Sequence, residues 1–295
     1  MIRLMLGFVA ALTMTGGAFA QSAVERGGYL MNTIMTCANC HSPKGPPAAT
    51  AGKDYSGGLR FNEPPFDVTA PNITQDKETG IGNWTDDQIK TLMTTGKHPN
   101  GHQVAEIMPT AFYPILTPGD LNAIVAYLRS LPPVKNKGPD PVYKIALPHH
   151  VFPGAEKPYA QADLNDKLKR GFYLVTIGHC LECHTPFAAG GGSQDFKDSL
   201  GKGGREFPGP WGVSKSRNIT SHKTAGIGDW TDAEIKTAII QGKRKDGTPL
   251  KGPMGFQYYA NMTDADLDAV IAYVRTLPPK EWAETGSQRR SPPRR

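Results

Sequence analysis

Cys37-Ala38-Asn39-Cys40-His41 and Cys180-Leu181-Glu182-Cys183-His184 contain all four cysteines of this 295-residue chain. Two thiols three positions apart can both add across the vinyl groups on one edge of a porphyrin. An imidazole directly after the second thiol then comes up beneath the iron. Each motif therefore reads as a covalent attachment site for a c-type haem. A redox dithiol is the alternative for a lone C-x-x-C, but it has no use for the histidine. Zinc would have to draw Cys and His from both copies at once. The expected cofactors are two covalently bound haem c groups, with Cys37, Cys40, Cys180 and Cys183 as thioether donors and His41 and His184 as iron ligands.

The second axial position calls for a donor repeated in both halves. Met108 precedes Asp120 by the same number of residues as Met254 precedes Asp266, and each Met lies beside a proline in a loop. A thioether suits low-spin iron and raises its potential; otherwise both methionines only pack against the porphyrin. Met93 and Met262 have no counterpart and read as structural. His98, His102, His179 and His222 are unmatched too, His102 being the best substitute ligand among them. Trp84, Trp230 and Arg205 are candidate contacts to the haem propionates, with Asn72 and Asn218 as weaker ones; each Trp equally suits a helix-stapling role. For the second nitrogen of His41, carbonyls near Pro43–Pro47 are within reach.

The elements that must position these groups occur twice, which implies two homologous domains. Arg26-Gly27-Gly28-Tyr29-Leu30 matches Arg170-Gly171-Phe172-Tyr173-Leu174, and Asn72-Ile73-Thr74 matches Asn218-Ile219-Thr220. Gly80-Ile81-Gly82-Asn83-Trp84-Thr85-Asp86 returns as Gly226-Ile227-Gly228-Asp229-Trp230-Thr231-Asp232. A first helix precedes each Cys motif. A second starts at Thr85 or Thr231, with Gln88 or Glu234 completing a capping box and Gly96 or Gly242 ending it. A third runs from about Pro118 to Leu131 and from Asp264 to Leu277, its apolar positions at helical spacing. Tyr127 and Tyr273 are expected to pack it on the first helix. Strand signals are weak throughout.

Residues 1–20 have a basic start, an apolar run and Ala18-Phe19-Ala20, the pattern of a secretory signal peptide. The expected order is then domain 1 (21–134), a Pro-rich linker (135–165), domain 2 (166–280) and a basic, disordered tail (281–295). In the linker, Ile145, Leu147, Val151 and Phe152 are the apolar anchors, and His149 and His150 read as surface residues. The formal charge of +6 shrinks once Arg3 and the tail's Arg289, Arg290, Arg294 and Arg295 are set aside. Composition gives no reason to expect nucleic acid as a partner. Without a later apolar run of spanning length, no transmembrane anchor is expected in the mature chain, and the tail leaves peripheral membrane association open.

The paired C-x-x-C-H motifs, N-I-T followed by G-I-G-x-W-T-D, the loop Met and the closing A-Y-hydrophobic-R-x-L-P resemble the domains of multihaem cytochromes c. More narrowly, they are similar to the cytochrome subunits of bacterial alcohol, aldehyde and gluconate dehydrogenase complexes, over about residues 24–134 and 166–280. The resemblance implies a mainly α fold, two tandem class-I-like cytochrome c domains with loop-rich haem pockets. It implies Met108 and Met254 as distal ligands. It also implies a periplasmic electron carrier rather than an enzyme, taking electrons from a dehydrogenase and passing them to an acceptor cytochrome or terminal oxidase. Those subunits typically carry three haem motifs; this chain has two. A dihaem peroxidase with one open iron is the alternative.

Overall fold

The computed structural model describes residues 21–281. The signal-peptide reading of 1–20 and nearly all of the basic tail lie outside them. The first half comprises α1 (Ala23–Asn32), α2 (Cys37–His41), α3 (Pro47–Thr50), the hairpin β1 (Arg60–Glu63) and β2 (Phe66–Thr69), α4 (Asp86–Thr95) and α5 (Pro118–Ser130). After β3 (Val142–Tyr143) the second half repeats the plan: α6 (Lys167–Ile177), α7 (Cys180–Cys183), β4 (Glu206–Gly209), β5 (Gly212–Lys215), α8 (Asp232–Gln241), α9 (Phe256–Tyr259) and α10 (Asp264–Val274). None of these helices is long and apolar enough to cross a membrane.

Local chemistry sets the helix ends. Thr85 accepts from the Gln88 amide while Gln88 reaches back, and Thr231 and Glu234 do the same, so both expected capping boxes form. Gly96 and Gly242 follow with φ of 67° and 63°, the left-handed conformation that ends a helix without Cβ strain. Thr85→Ala should lower the unfolding free energy by about 1 kcal/mol, measurable by chemical denaturation. α5 ends as expected, but α10 stops at Val274, three residues before Leu277.

In each half the first and last helices cross at a glycine. A Cβ on Gly27 would sit 2.0 Å from the Ala123 carbonyl oxygen, and one on Gly171 would sit 2.1 Å from that of Ala269. The backbones touch there, and the Cβ atoms of Tyr127 and Tyr273 close over the two glycines. These tyrosines do pack the last helix on the first.

The two hairpins correct the expectation of negligible strand. β1 pairs with β2 and β4 with β5, antiparallel, across Pro64-Pro65 and Pro210-Trp211. Each strand is four residues long; β1, β4 and β5 are mostly solvent-facing and β2 is only partly buried, so no apolar alternation marks them.

The segment between the halves is fastened to both. β3 extends the first sheet by pairing with β2. Phe152, 2% exposed, stacks on Phe112 of the first half and meets Phe196 of the second edge-on, both at 4.9 Å. Of the four expected anchors only Phe152 is buried. Ile145 is 59% exposed and Val151 39%, because the chain around them follows the surface.

The halves also clasp each other reciprocally. Tyr29 on α1 donates to Asp266 on α10 at 2.6 Å, and Tyr173 on α6 donates to Asp120 on α5 at 2.7 Å. Within each half the same aspartate pairs with an arginine, Arg26 with Asp120 and Arg170 with Asp266. Matched residues thus make matched contacts in both directions, the pattern of a two-fold interface.

Candidate haem sites

α2 and α7 present the paired thiols, which form no disulfide. The residue before each motif is left-handed without being glycine, Thr36 at φ 50° and His179 at φ 41°. Such backbone costs on the order of 1–3 kcal/mol and turns the chain sharply from the preceding helix into the motif. Burial pushes the thiols of Cys37, Cys180 and Cys183 up to about 12 and raises that of Cys40. A catalytic dithiol works by the opposite shift. Among the described residues no three His, Cys, Asp or Glu side chains gather as a cation site, so the zinc alternative has no donor set.

Both motif histidines are held by one nitrogen. His41 Nδ1 lies 2.8 Å from the Pro71 carbonyl, and His184 Nδ1 lies 2.7 Å from that of Arg217. The carbonyls near Pro43–Pro47 are therefore not the partner of His41. A donor hydrogen bond from Nδ1 leaves the Nε2 lone pair free, the tautomer that binds metal. Burial lowers the pKa of both rings and favours that neutral form.

The N-I-T strings hold the two carbonyls in place. Asn72 accepts from the Thr74 amide and hydroxyl at 2.9 and 2.8 Å and donates to the Val134 carbonyl at 2.7 Å. Asn218 accepts likewise from Thr220 and donates to the Lys280 carbonyl at 2.6 Å. Asn72 and Asn218 are thus braces joining the proximal loop to the segment after the last helix. Their side chains are committed to protein groups, which corrects the propionate reading for them.

Met108 and Met254 occupy equivalent places, each just ahead of a short helical turn, Thr110–Phe112 and Phe256–Tyr259. The loops carrying them start alike: Val104 donates to the Gly96 carbonyl and Leu250 to that of Gly242. Both methionines are only half-buried, whereas Met93 is core at 5% exposure. Trp84 and Trp230 are half-buried, and their indole N–H groups have no partner among the described residues. Their carbonyls are bound instead, by Arg129 at 2.5 Å and Arg275 at 2.6 Å. Arg205 donates to the Glu182 carbonyl at 2.6 Å and lies over Phe187 and Phe207, bracing α7 from outside.

The unmatched histidines have other engagements. His102 stacks on His98 at 4.5 Å, and His98 meets Trp84 edge-on. His179 lies 3.0 Å from Glu182, and His222 accepts from the Ala225 amide. In the linker His150 pairs with Glu106 at 2.9 Å.

Sequence reasoning missed the residues between the two motifs. The Glu182 carboxylate raises the Cys40 thiol, and Cys40 adds to the upward shift of Cys183, so the two attachment motifs lie within electrostatic reach of each other. Buried Tyr113 lies within the electrostatic influence of Cys37, Glu182 and Cys40. Its match Tyr259 lies within the influence of Cys180 and Cys183. The equal offset of the two tyrosines was the available signal.

The residues fit haem c on donor chemistry alone: unbridged thiol pairs and neutral imidazoles with one nitrogen free. The cytochrome c family model matches twice, over residues 24–132 and 168–278. The chain is 30% identical to the fructose dehydrogenase cytochrome subunit of Gluconobacter japonicus over 286 residues, 90% of this chain and 54% of that one. It is 28% identical to the gluconate 2-dehydrogenase cytochrome c subunit of Pantoea cypripedii, over 96% of this chain and 66% of that one. A diheme cytochrome c-type protein of Cereibacter sphaeroides is 29% identical over 82% of each chain. The chain spans about half to two thirds of the length of the dehydrogenase subunits. Motif, donor geometry and the doubled match converge: the chain belongs to the cytochrome c family and carries two covalently bound haem c groups.

Proposed function

We propose that this protein is a periplasmic dihaem electron carrier, taking single electrons from a dehydrogenase and delivering them to a downstream cytochrome or oxidase. Domain 1 covers residues 21–134 and domain 2 residues 166–280, joined by 135–165. The relatives named as cytochrome subunits of dehydrogenases support the donor class. Haem c supplies a one-electron couple when bound; the rest is the work of the chain. Cys37, Cys40, Cys180 and Cys183 fix the porphyrins. His41 and His184 would hold the iron through Nε2, with Met108 and Met254 as its second protein ligands. Trp84 and Trp230 offer free indole N–H groups to propionates, and Arg205 steadies the second attachment helix.

One observation carries the reading: both halves repeat the same carbonyl-held imidazole and the same loop methionine. Iron closed on both faces changes charge without exchanging ligands, which serves a carrier. A peroxidase needs an open face with an acid or base beside it. His102, the best substitute ligand among the unmatched histidines, is stacked on His98.

Met108→Ala and Met254→Ala test this. Each should remove about half of the weak near-infrared Met–iron band and let carbon monoxide bind one haem per chain. Variants that keep the whole band would show that neither methionine is a ligand.

A further inference from the structure

The two hairpins differ in what lies along their outer edge. In the first half the segment after α5 turns back over it. There β3 pairs with β2, the Lys144 amide donates to the Pro65 carbonyl at 2.9 Å, and His150 pairs with Glu106 in the loop ahead of Met108. In the second half β4 and β5 form a sheet by themselves, and among the described residues no strand lies on β5. Position for position, Pro65, Asp67 and Glu106 become Trp211, Val213 and Gly252.

The open edge is tied to the second haem site at both ends. Arg205 donates to the Glu182 carbonyl of α7 and lies over Phe207 of β4 and over Phe187, which is 51% exposed. At the turn of the hairpin the Trp211 ring lies against Gly252, where a Cβ would come within 2.9 Å of it, two residues ahead of Met254. Gly209 and Gly212 close a two-residue turn, so the alternation of an antiparallel ladder turns the Val213 N–H and C=O away from β4. The Val213 side chain is 63% exposed.

The loop leading to Gly252 is basic. Residues 243–251 hold Lys243, Arg244, Lys245 and Lys251 against Asp246 alone, where the first half has only Lys97. The three lysines are exposed. A bare strand edge is a template for another extended segment, and cations beside it select one rich in carboxylates. The chain's own tail has the wrong sign, with Arg289, Arg290, Arg294 and Arg295 against Glu284.

We propose that β5 takes an extended, carboxylate-rich segment of the electron-transfer partner as a third strand, so that the partner docks beside the second haem site while the linker covers the equivalent edge of the first. The inference rests on the dihaem carrier reading and names its docking surface.

Fluorescence anisotropy tests it, with a fluorescein-labelled heptapeptide of alternating Glu and Val added to the intact holoprotein. Haem content is fixed beforehand by staining after denaturation. Fewer than two haems per chain defeats the dihaem reading whatever the peptide does; two haems without peptide binding defeats the docking proposal alone. Binding should weaken about tenfold or more when Lys replaces Glu in the peptide. It should weaken about as much in Val213→Pro, which keeps the bonds to β4 but loses the outward donor. Lys243→Gln with Lys245→Gln and Lys251→Gln should weaken binding and flatten its salt dependence. Lys97→Gln, the match of Lys243 in the covered half, should leave binding unchanged. Equal binding of the Lys peptide, or full binding by Val213→Pro, overturns the proposal. So does a dimer in sedimentation that Val213→Pro dissociates, which would give the edge to a second copy of the chain.

Discussion

Replacing Cys180 and Cys183 together by Ser leaves one covalently retained haem per chain in place of two, and the same change at Cys37 and Cys40 has the same effect on the other half. Haem staining after denaturation and intact mass would both register the loss of half the haem. The thioethers are the only bonds that survive unfolding. A serine pair leaves His184 Nε2 able to bind iron, but a lone imidazole releases haem once the pocket opens. The folded halves should respond unequally in stability, because a group that binds only the native state stabilises the half that holds it. Each double variant should therefore unfold with one half weakened and the other near its wild-type midpoint. A redox dithiol would behave otherwise: the serine variants would keep their haem content and lose only a reducible disulfide.

What could be read along the chain was what is local or repeated. Thr85 with Gln88 and Thr231 with Glu234 announce their helix starts because every atom of the capping box lies within three residues. The Cys-His motifs and the equal spacing of Met108 and Met254 from their aspartates are likewise matters of residue type and count. The proximal hydrogen bonds were not legible, since Pro71 and Arg217 contribute carbonyl oxygens, which every residue has. The asparagines after them invited a cofactor role, but their task is to hold those carbonyls, through partners about 60 residues away at Val134 and Lys280. The hairpins gave no signal because neither face is buried enough to impose alternation. The reciprocal tyrosine–aspartate clasp was half visible. Tyr29, Tyr173, Asp120 and Asp266 all recur at matched positions, but each tyrosine binds the aspartate of the other copy, which no comparison of the copies reveals.

That clasp predicts the largest loss of stability from a change remote from the haem motifs. Asp120→Ala should cost roughly 3–5 kcal/mol of unfolding free energy, because it strips partners from a buried hydroxyl and a half-buried guanidinium and removes a buried carboxylate pair. Arg26 donates to both carboxylate oxygens at 2.8 and 2.9 Å, and Tyr173, fully buried, donates at 2.7 Å. Burial and the Asp120 charge keep the Tyr173 hydroxyl well above its ordinary pKa, so it stays a donor. Tyr173→Phe removes the bond between the halves but leaves the Arg26 pair intact, and should cost less, roughly 1–3 kcal/mol. Tyr29→Phe should cost less again, since Tyr29 is only half-buried. Denaturant titration of the holoprotein ranks the three variants; equal costs for Asp120→Ala and Tyr173→Phe would mean that the Arg26 pair contributes nothing. The clasp lies on the helices next to the attachment motifs α2 and α7. Tyr173→Phe should therefore also slow electron exchange between the two haems under conditions where the chain remains folded, whereas Thr85→Ala, which weakens one helix start without touching the interface, should leave that exchange unchanged.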